Sequence, residues 1–281
     1  MKASGVFLFP MDTQTPPAEP APKRKVFLAL PTYASTMRRD FVLSLLNILW
    51  MDPIPGMEFT IGTFVGDGVA RSRNNLAQQF LLATDCTDFL CIDVDIVFTR
   101  ENVIRLLDGL TDERPILGGL YAAKQVTHRW IKTDLDNEET DAQGYKKVYE
   151  IGTGFKGMRR RPFELMMEAF PEIQYFCDGS QERLVKWDFF SMGVVNSRYL
   201  SEDYYFDYRA RCLGIPIHAD TRCELQHEGS IRYPFASNLS LSKRVNLVTL
   251  FRIAESLGDT GFAATDDVLQ IATRVINENA A

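Results

Sequence analysis

The sequence predicts an α/β fold in which helices cover both faces of a largely parallel sheet. Short apolar runs that end at turn residues alternate along residues 25–125 with segments of helical periodicity. This alternation is typical of parallel strands joined by crossover helices. A chain of 281 residues can form one large domain with appendages. Its hydrophobic content of 46% and charged content of 24% are ordinary for a globular protein.

The predicted elements of the first half follow one another in regular alternation. The predicted strands cover residues 25–30, 59–64, 89–92 and 116–122, and the predicted helices cover residues 37–50, 70–83 and 101–110. Ligands of such sheets bind beyond the carboxyl ends of the strands. We therefore expect the turn Pro31-Thr32-Tyr33 and the triplet Asp93-Val94-Asp95 to lie at one edge, in a nucleotide-binding half that spans residues 25–125.

Residues 126–235 are predicted to form a second, acceptor-side half. A strand is predicted over residues 188–195, followed by a helix that Ser201 caps and that Gly214 ends. The glycines of residues 152–157 suggest a loop, between Gly152 and Asp188, that closes over a bound donor.

The two ends of the chain differ in sequence pattern from the predicted catalytic domain, residues 25–235. Residues 1–24 are rich in proline and predict a flexible leader. Residues 236–281 predict a helical extension, with amphipathic helices over residues 240–257 and 264–277.

Charge and cysteine content argue against several classes of protein. The formal net charge of −6 disfavours binding to nucleic acid. The five cysteines are odd in number and form no CxxC pair, so free thiols in a reducing compartment are expected. No apolar run reaches the length of a membrane span or of a secretory signal. We expect a cytoplasmic protein.

Asp93 and Asp95 follow a buried strand and are the strongest chemical signal in the sequence. If the strand persists, two carboxylates two residues apart face the same side. Burial of both would be costly without a cation, and oxygen ligands of this kind suit Mg²⁺ or Mn²⁺ when substrate phosphates complete the shell. Solvated loop carboxylates or a helix cap would also account for the pair.

A phosphatase of the haloacid-dehalogenase type is a rival interpretation of the same residues. Residues 93–98 match its nucleophile loop, and Gly66-Asp67-Gly68 resembles its later acidic motif. In those enzymes the nucleophile strand comes first and the Gly-Asp motif comes last. The order is reversed here, which disfavours this alternative.

Two further groups complete the set of candidate residues. Glu202 and Asp203 open the helix after Ser201, where acids interact favourably with the helix dipole and where one could serve as a general base. His227, one of three histidines, follows a short apolar run. Such a histidine is more often structural than a ligand, but its position after the two acids favours a role in the site.

In this order, an Asp-x-Asp triplet, a Gly-rich region, an x-Glu-Asp helix start and a downstream histidine resemble glycosyltransferases of the GT-A fold. The resemblance runs from Lys25 to Gly229. Within that group, residues 69–75 (VARSRNN) are similar to the Ala-Arg-x-Arg-Asn segment of Anp1-like mannosyltransferases and related family-2-like enzymes.

The resemblance implies a Rossmann-like donor half and an acceptor half that share a mixed central sheet. It implies a UDP- or GDP-sugar as donor and Mn²⁺ or Mg²⁺ as cofactor. The implied donor-binding residues are Pro31, Thr32, Tyr33, Arg71, Asn74 and Asp93; the implied metal ligands are Asp93, Asp95 and His227; and the implied catalytic residues are Asp203 as base and Glu202 as support for the acceptor.

Other functions and several acceptors stay open at this point. A sugar-nucleotide nucleotidyltransferase also uses paired carboxylates, but it usually carries a Gly-rich basic loop after the first strand, where this chain has Pro31-Thr32-Tyr33. A non-catalytic nucleotide- or carbohydrate-binding protein is a second alternative. The expected acceptor is a hydroxyl of a saccharide, a lipid-linked saccharide or a protein, with a modified DNA base as a minor alternative.

Overall fold

The computed structural model of the protein describes most of the predicted catalytic domain. The described residues are 24–32, 36–66, 68–82, 85–124, 132–134, 139–176, 185–229 and 232–233. Tyr33, Asp67, residues 1–23 of the predicted leader and the predicted helices of the 236–281 extension lie outside the described residues.

Fifteen strands and five α-helices make up the described part of the chain. The strands are β1 (Arg24–Thr32), β2 (Met57–Val65), β3 (Asp88–Ile92), β4 (Ile96–Val97), β5 (Ile116–Gly119), β6 (Lys132–Asp134), β7 (Tyr145–Ile151), β8 (Phe155–Arg159), β9 (Gln174–Phe176), β10 (Val185–Trp187), β11 (Gly193–Val195), β12 (Arg198–Leu200), β13 (Ile217–Asp220), β14 (Gln226–Glu228) and β15 (Arg232–Tyr233). The helices are α1 (Arg39–Leu46), α2 (Val69–Leu82), α3 (Arg100–Gly109), α4 (Arg160–Ala169) and α5 (Glu202–Cys212). A π-helical turn (Asn47–Met51) follows α1, and a 3₁₀ turn (Pro171–Ile173) follows α4.

Eight strands form one mixed central sheet in the order β2-β1-β3-β8-β5-β13-β7-β6. Strands β2, β1 and β3 pair in parallel, as do β5 and β13. Strand β8 lies antiparallel between β3 and β5, and β7 lies antiparallel between β13 and β6. The predicted α/β class with a mixed sheet is confirmed, while parallel pairing is limited to β2, β1 and β3 and to the pair β5 and β13.

Both faces of the sheet are buried, because successive residues of one strand point to opposite sides. In β1, Phe27 and Ala29 join one apolar cluster, whereas Val26, Leu28 and Leu30 join the other. The neighbouring strand β3 divides its residues in the same way. The two clusters are packed beneath helices on either face, which is the doubly wound arrangement predicted from the sequence.

Most predicted elements of the first half are confirmed, with shifted ends. The helix predicted over residues 37–50 is α1 followed by the π-helical turn, in which the Asp52 amide donates to the Asn47 carbonyl at 2.8 Å. The strand predicted over residues 116–122 ends earlier, at Gly119. The helix predicted from Ser201 is α5, and Gly214 follows it with a positive φ of 73°, as a helix-ending glycine does.

Two predictions about the acceptor-side half were wrong. The strand predicted over residues 188–195 is a turn that leads into the short strand β11. The Phe190 amide donates to the Asn74 side chain and the Asp188 carbonyl accepts from the Ser191 hydroxyl, so these backbone groups do not pair with a strand. The closing loop predicted between Gly152 and Asp188 contains the central strand β8 and helix α4 instead of being one loop. Gly157 lies there between Leu90 and Leu117, which makes it part of the sheet.

Among the described residues, no helix combines the length and the apolar character that crossing a membrane requires. Cys86, Cys91, Cys212 and Cys223 are free thiols, and Cys177 lies outside the described residues.

A buried ion pair fixes α5 to the sheet. The Lys156 ammonium on β8 donates to the Asp207 carboxylate on α5, and both side chains are fully buried. The other oxygen of Asp207 accepts from the Ile151 amide at 2.8 Å. Burial raises the pKa of the Asp207 carboxyl to about 6, although Lys156 acts to lower it. The pair therefore positions α5 without fully offsetting its own desolvation.

We expect Lys156→Met to lower the free energy of unfolding by about 3–5 kcal/mol, because it leaves a buried carboxylate without its cation. Urea denaturation at neutral pH measures the change. Adding Asp207→Asn to this variant should restore much of the loss, since an amide keeps the acceptor for Ile151 without a buried charge. Equal stability of Lys156→Met and the unsubstituted protein would contradict a paired, buried lysine.

Candidate active site

A cavity of about 160 Å³ lies at the carboxyl edge of β1 and β3. Because these strands are parallel neighbours, their C-terminal residues reach the same edge of the sheet. The residues that line the cavity are Pro31, Thr32, Val69, Ser72, Asp93, Val94 and Asp95. The structure thus brings together four predicted site residues from two separate segments, Pro31 and Thr32 from one and Asp93 and Asp95 from the other. Tyr33 lies outside the described residues.

The two carboxylates of the Asp-x-Asp triplet face different partners. Strand β3 ends at Ile92, and the Asp93 carbonyl accepts from the Ile96 amide at 3.0 Å, so a turn begins at the triplet. The strand does not persist through the triplet, so the condition under which both carboxylates would face one side is not met, although both line the same cavity. Asp93 bonds to a buried arginine, and Asp95 bonds to a histidine and a lysine.

Arg73 is the central cation of the site, and the sequence analysis missed it. One guanidinium nitrogen, Nη2, donates to both oxygens of Asp93 at 2.9 and 3.0 Å, and Nη1 donates to Glu202. The Arg73 side chain is only 3% exposed. It therefore links the end of β3 to the start of α5 by charge-assisted hydrogen bonds.

A signal for Arg73 was present in the sequence. Arg73 shares the buried face of α2 with Leu76, Ala77 and Phe80, at the spacing of an amphipathic helix. An arginine at such a position needs buried anionic partners. The predicted donor residue was instead Arg71, two positions earlier.

Arg73 and the acids around it shift one another's pKa values. Burial would lower the pKa of Arg73, but Asp93, Cys91 and Glu202 raise it well above its usual value. The pKa of Glu202 is raised, mainly by burial and in part by Asp203, against the opposing charge of Arg73. Arg73 thus offsets only part of the cost of burying the Glu202 carboxyl.

Asp95 and His227 form the second pair of the site. Strand β14 pairs with β4, which places His227 opposite Ile96, next to Asp95. His227 Nε2 lies 3.5 Å from Asp95 Oδ1, and His227 Nδ1 lies 2.8 Å from the Ala122 carbonyl. A carbonyl can only accept, so Nδ1 carries a proton and donates it there. Nε2 faces Asp95: it carries a proton there when the ring is protonated and a lone pair when the ring is neutral.

The Asp95 carboxylate is held in its ionised form. Burial would raise its pKa, but hydrogen bonds and charge from His227 and Lys124 outweigh burial and lower the pKa to about 2. Lys124 donates to the oxygen Oδ2, and His227 faces the oxygen Oδ1. Asp95 is therefore an anion at neutral pH, with cationic or donor groups at both oxygens.

The Asp95–His227 pair fits a divalent cation that takes its remaining ligands from a substrate. A carboxylate oxygen and a ring nitrogen are suitable donors, and their 3.5 Å separation is shorter than two metal–ligand bonds of about 2.1 Å each placed end to end. A histidine that binds a metal through one ring nitrogen usually donates the N–H of its other ring nitrogen, often to a backbone carbonyl. Among the described residues, no three such side chains form a complete metal cluster, so phosphate oxygens or water would have to complete the shell.

Glu202 and Asp203 take separate positions at the start of α5. Glu202 is buried against Arg73. Asp203 Oδ1 accepts from the Ser201 hydroxyl and from the Tyr204 amide at 2.9 Å. Ser201 occupies the predicted N-cap position, but its hydroxyl bonds to Asp203 rather than to a helix amide. The catalytic roles predicted for both acids stay predictions.

Arg71 and Asn74 border a second cavity, of about 490 Å³, on another side of α2. Asn74 accepts from the Phe190 amide at 2.8 Å and donates to Asp188, so it fixes the turn at residues 188–191. Arg71 is exposed at this cavity. Neither residue lines the cavity that contains Asp93 and Asp95, and their predicted contact with the donor stays a prediction.

No protein-family model matches the chain, and neither does any curated protein. Its fold is similar to several solved structures. A197 from STIV has a TM-score of 0.47 at 15% identity, over 77% of this chain and 96% of A197. A glycosyltransferase involved in the glycosylation of the major capsid of PBCV-1 has a TM-score of 0.33 at 13% identity, over 52% of this chain and 65% of that protein.

GalNAc-T7, crystallised with UDP, GalNAc and Mn²⁺, has a TM-score of 0.41 at 11% identity, over 82% of this chain and 48% of GalNAc-T7. The chain thus spans less than two thirds of the length of either glycosyltransferase. These likenesses concern the α/β fold alone, and the predicted relation to Anp1-like enzymes stays a prediction.

We expect Arg73→Met to lower the free energy of unfolding by about 3–5 kcal/mol, because it removes the buried partner of two carboxylates. Arg71→Met is the matched control, since this neighbouring arginine is exposed and its loss should change stability by about 0.5 kcal/mol or less. Urea denaturation of the two variants provides the comparison. A loss of unfolding free energy in Arg73→Met that is no larger than the loss in Arg71→Met would contradict a stabilising Arg73 bridge.

Proposed function

We propose that the protein is a metal-dependent glycosyltransferase of the GT-A type, which transfers a sugar from a nucleotide-diphosphate sugar to an acceptor hydroxyl. The observation that carries the proposal is the pairing of Asp95 with His227 beside the bridge of Asp93, Arg73 and Glu202. Both arrangements lie at the carboxyl edge of the parallel strands, where open α/β sheets bind their ligands.

The residues around the 160 Å³ cavity support binding of the diphosphate part of a nucleotide-sugar donor. Pro31 and Thr32 border it from β1, in the position proposed for the base and ribose. Val69 and Ser72, from the first turn of α2, border it from another side. The amino end of a helix carries unpaired amides and a partial positive charge, which favour phosphate oxygens. UDP- and GDP-sugars are the proposed donors.

Asp95 and His227 would hold the Mn²⁺ or Mg²⁺ ion, with Asp93 on the side of the ribose and of metal-bound water. Such an ion, when bound, neutralises the charge that develops on the leaving diphosphate. Arg73 keeps Asp93 oriented through two hydrogen bonds to its carboxylate. Lys124, at the other oxygen of Asp95, adds positive charge next to the proposed diphosphate position.

Asp203 is the proposed general base, and Glu202 is the proposed support for the acceptor. Glu202 is buried in its ion pair with Arg73, whereas Asp203 is partly exposed. Both hydrogen bonds described for Asp203 end on Oδ1, which directs the base function to Oδ2. In an inverting reaction Asp203 would take the proton of the acceptor hydroxyl, and in a retaining reaction it would position the substrates.

Metal and donor binding provide the first test. We expect UDP- or GDP-sugars to raise the melting temperature of the protein in the presence of Mn²⁺, because a ligand of the folded state stabilises it by mass action. Asp95→Ala and His227→Ala should each remove the Mn²⁺-dependent part of this shift and abolish sugar transfer. Glu224→Ala is the control, because Glu224 is an exposed acid near His227 in sequence. This variant should behave as the unsubstituted protein.

Two outcomes would contradict this proposal. Full transfer activity in excess EDTA would exclude the metal requirement. Donor binding that is accompanied by neither transfer nor donor hydrolysis would instead indicate a non-catalytic nucleotide-sugar-binding protein.

Asp203→Asn separates chemistry from binding. We expect turnover to fall by about 10²–10⁴-fold if Asp203 is the general base, because an amide cannot accept the proton. Donor affinity, measured by the same thermal shift, should stay within a factor of about two. A loss of donor affinity in this variant would place Asp203 at the donor site and remove it from the role of base.

A further inference from the structure

The outer face of α5 consists of tyrosines and arginines. Phe206, Asp207 and Ala210 are buried beneath the helix, while the remaining large side chains are partly exposed. Together with neighbours on β7 and β12, they form a surface that we name the Tyr–Arg ladder, composed of Tyr149, Arg198, Tyr204, Tyr205, Tyr208, Arg209 and Arg211. Tyrosine and arginine are the residues most enriched where proteins bind partners.

Each arginine of the ladder stacks on a tyrosine. The guanidinium carbon of Arg198 lies 5.5 Å from the centre of the Tyr204 ring, and that of Arg209 lies 4.6 Å from the Tyr205 ring. Arg211 lies over two rings, at 4.9 Å from Tyr149 and 5.9 Å from Tyr208. The Tyr205 and Tyr208 rings are 5.9 Å apart, which connects the contacts along the helix.

Buried groups below the ladder fix its orientation. Glu150 is 1% exposed and accepts from Arg198 at 2.8 and 2.7 Å and from Arg211 at 3.4 Å. Gly193 lies under the Tyr205 ring, and a methyl group added at Gly193 would lie only 2.8 Å from a carbon of that ring. Because these contacts hold the side chains in place before any ligand arrives, binding to the ladder would require little further ordering.

The ladder follows the two proposed catalytic acids along α5. It begins at Tyr204, directly after the acids Glu202 and Asp203, and the eight residues from Tyr204 to Arg211 span about 10 Å of helix. Arg209 also borders the 490 Å³ cavity with Ser191 and Met192. A chain bound along the ladder would therefore have one end near the two acids.

We propose that the Tyr–Arg ladder binds the acceptor, and that this acceptor is a linear saccharide of three or more sugar units. The inference rests on the proposed glycosyltransferase function. The reacting hydroxyl lies at Glu202 and Asp203, and the sugars behind it stack along the ladder. A sugar ring presents an apolar C–H face and an edge of hydroxyls, which match an aromatic face and guanidinium N–H donors.

The charge of the ladder favours a saccharide over a polyanion. The guanidinium groups of Arg198 and Arg211 are already paired with the buried Glu150. Their faces are stacked on rings, so the surface offers directed donors more than a strong field. A polyanion would gain most from unpaired lysines and arginines.

Saccharide binding by the full-length protein, in the absence of donor, tests the proposal. The probes are linear gluco-, manno- and chito-oligosaccharides, from mono- to pentasaccharide, titrated by calorimetry. We expect the affinity in one series to rise up to a chain of three or four units. Tyr208→Ala should weaken the longest member of that series about ten-fold and leave the monosaccharide unchanged, because one stacking contact of about 1.4 kcal/mol is lost.

Trp50→Ala is the matched control, since Trp50 is an aromatic residue that is 80% exposed on the turn after α1. Melting temperatures of both variants report whether they are folded. The proposal is overturned if no series binds, or if Tyr208→Ala keeps the full dependence on chain length. Binding to dextran sulfate alone, lost in about 0.5 M salt, would identify a polyanion site and also overturn it.

The donor thermal shift keeps this result separate from the proposed function. If UDP- and GDP-sugars stabilise the protein with Mn²⁺ but no saccharide binds, only the ladder inference fails. If saccharides bind the ladder but no donor binds, the proposed transferase function fails. The ladder is then still identified as a carbohydrate-binding site.

Discussion

The bridge from Asp93 through Arg73 to Glu202 is the interaction on which the candidate site depends. It joins three elements that the chain order keeps apart: the end of β3, the buried face of α2 and the start of α5. Two carboxylates held close together would repel each other without the guanidinium between them. Since the fork of Arg73 is planar and donates at fixed angles, it fixes the positions of Asp93 and Glu202 relative to each other.

The same helix is held a second time, one turn further along. Asp207 on α5 bonds to Lys156 on the central strand β8, so both the first turn and the middle of α5 are tied to the sheet by buried ion pairs. Buried pairs of this kind add little stability by themselves, because desolvation offsets their attraction. Their effect here is directional, since they determine which residues of α5 pack against the sheet and which face the solvent.

Local sequence patterns predicted the elements whose formation depends on residues close together in the chain. The strands around β1, β2 and β3 and the helices between them follow from apolar runs and helical periodicity, and the triplet at Asp93 follows from its place after β3. Strand β8 was missed because its sequence, FKGMR, contains a glycine and two cations that suggest a loop. It is a strand because Asp207, 51 residues away, neutralises Lys156. The role of Arg73 was missed for the same reason, since its partners lie 20 and 129 residues away.

The pairing of β14 with β4 has a consequence for the order of folding. The His227 ring is tied to the Ala122 carbonyl, 105 residues earlier in the chain, and reaches Asp95 only when this small three-stranded sheet has formed. Contacts between such distant residues form late, because closing a long loop costs entropy before any contact repays it. A nascent chain that has already built β1, β2 and β3 would still lack the histidine half of the pair. The affinity for a divalent cation that we propose would therefore be one of the last properties to appear in the maturing chain, and it would mark the molecules that have completed folding.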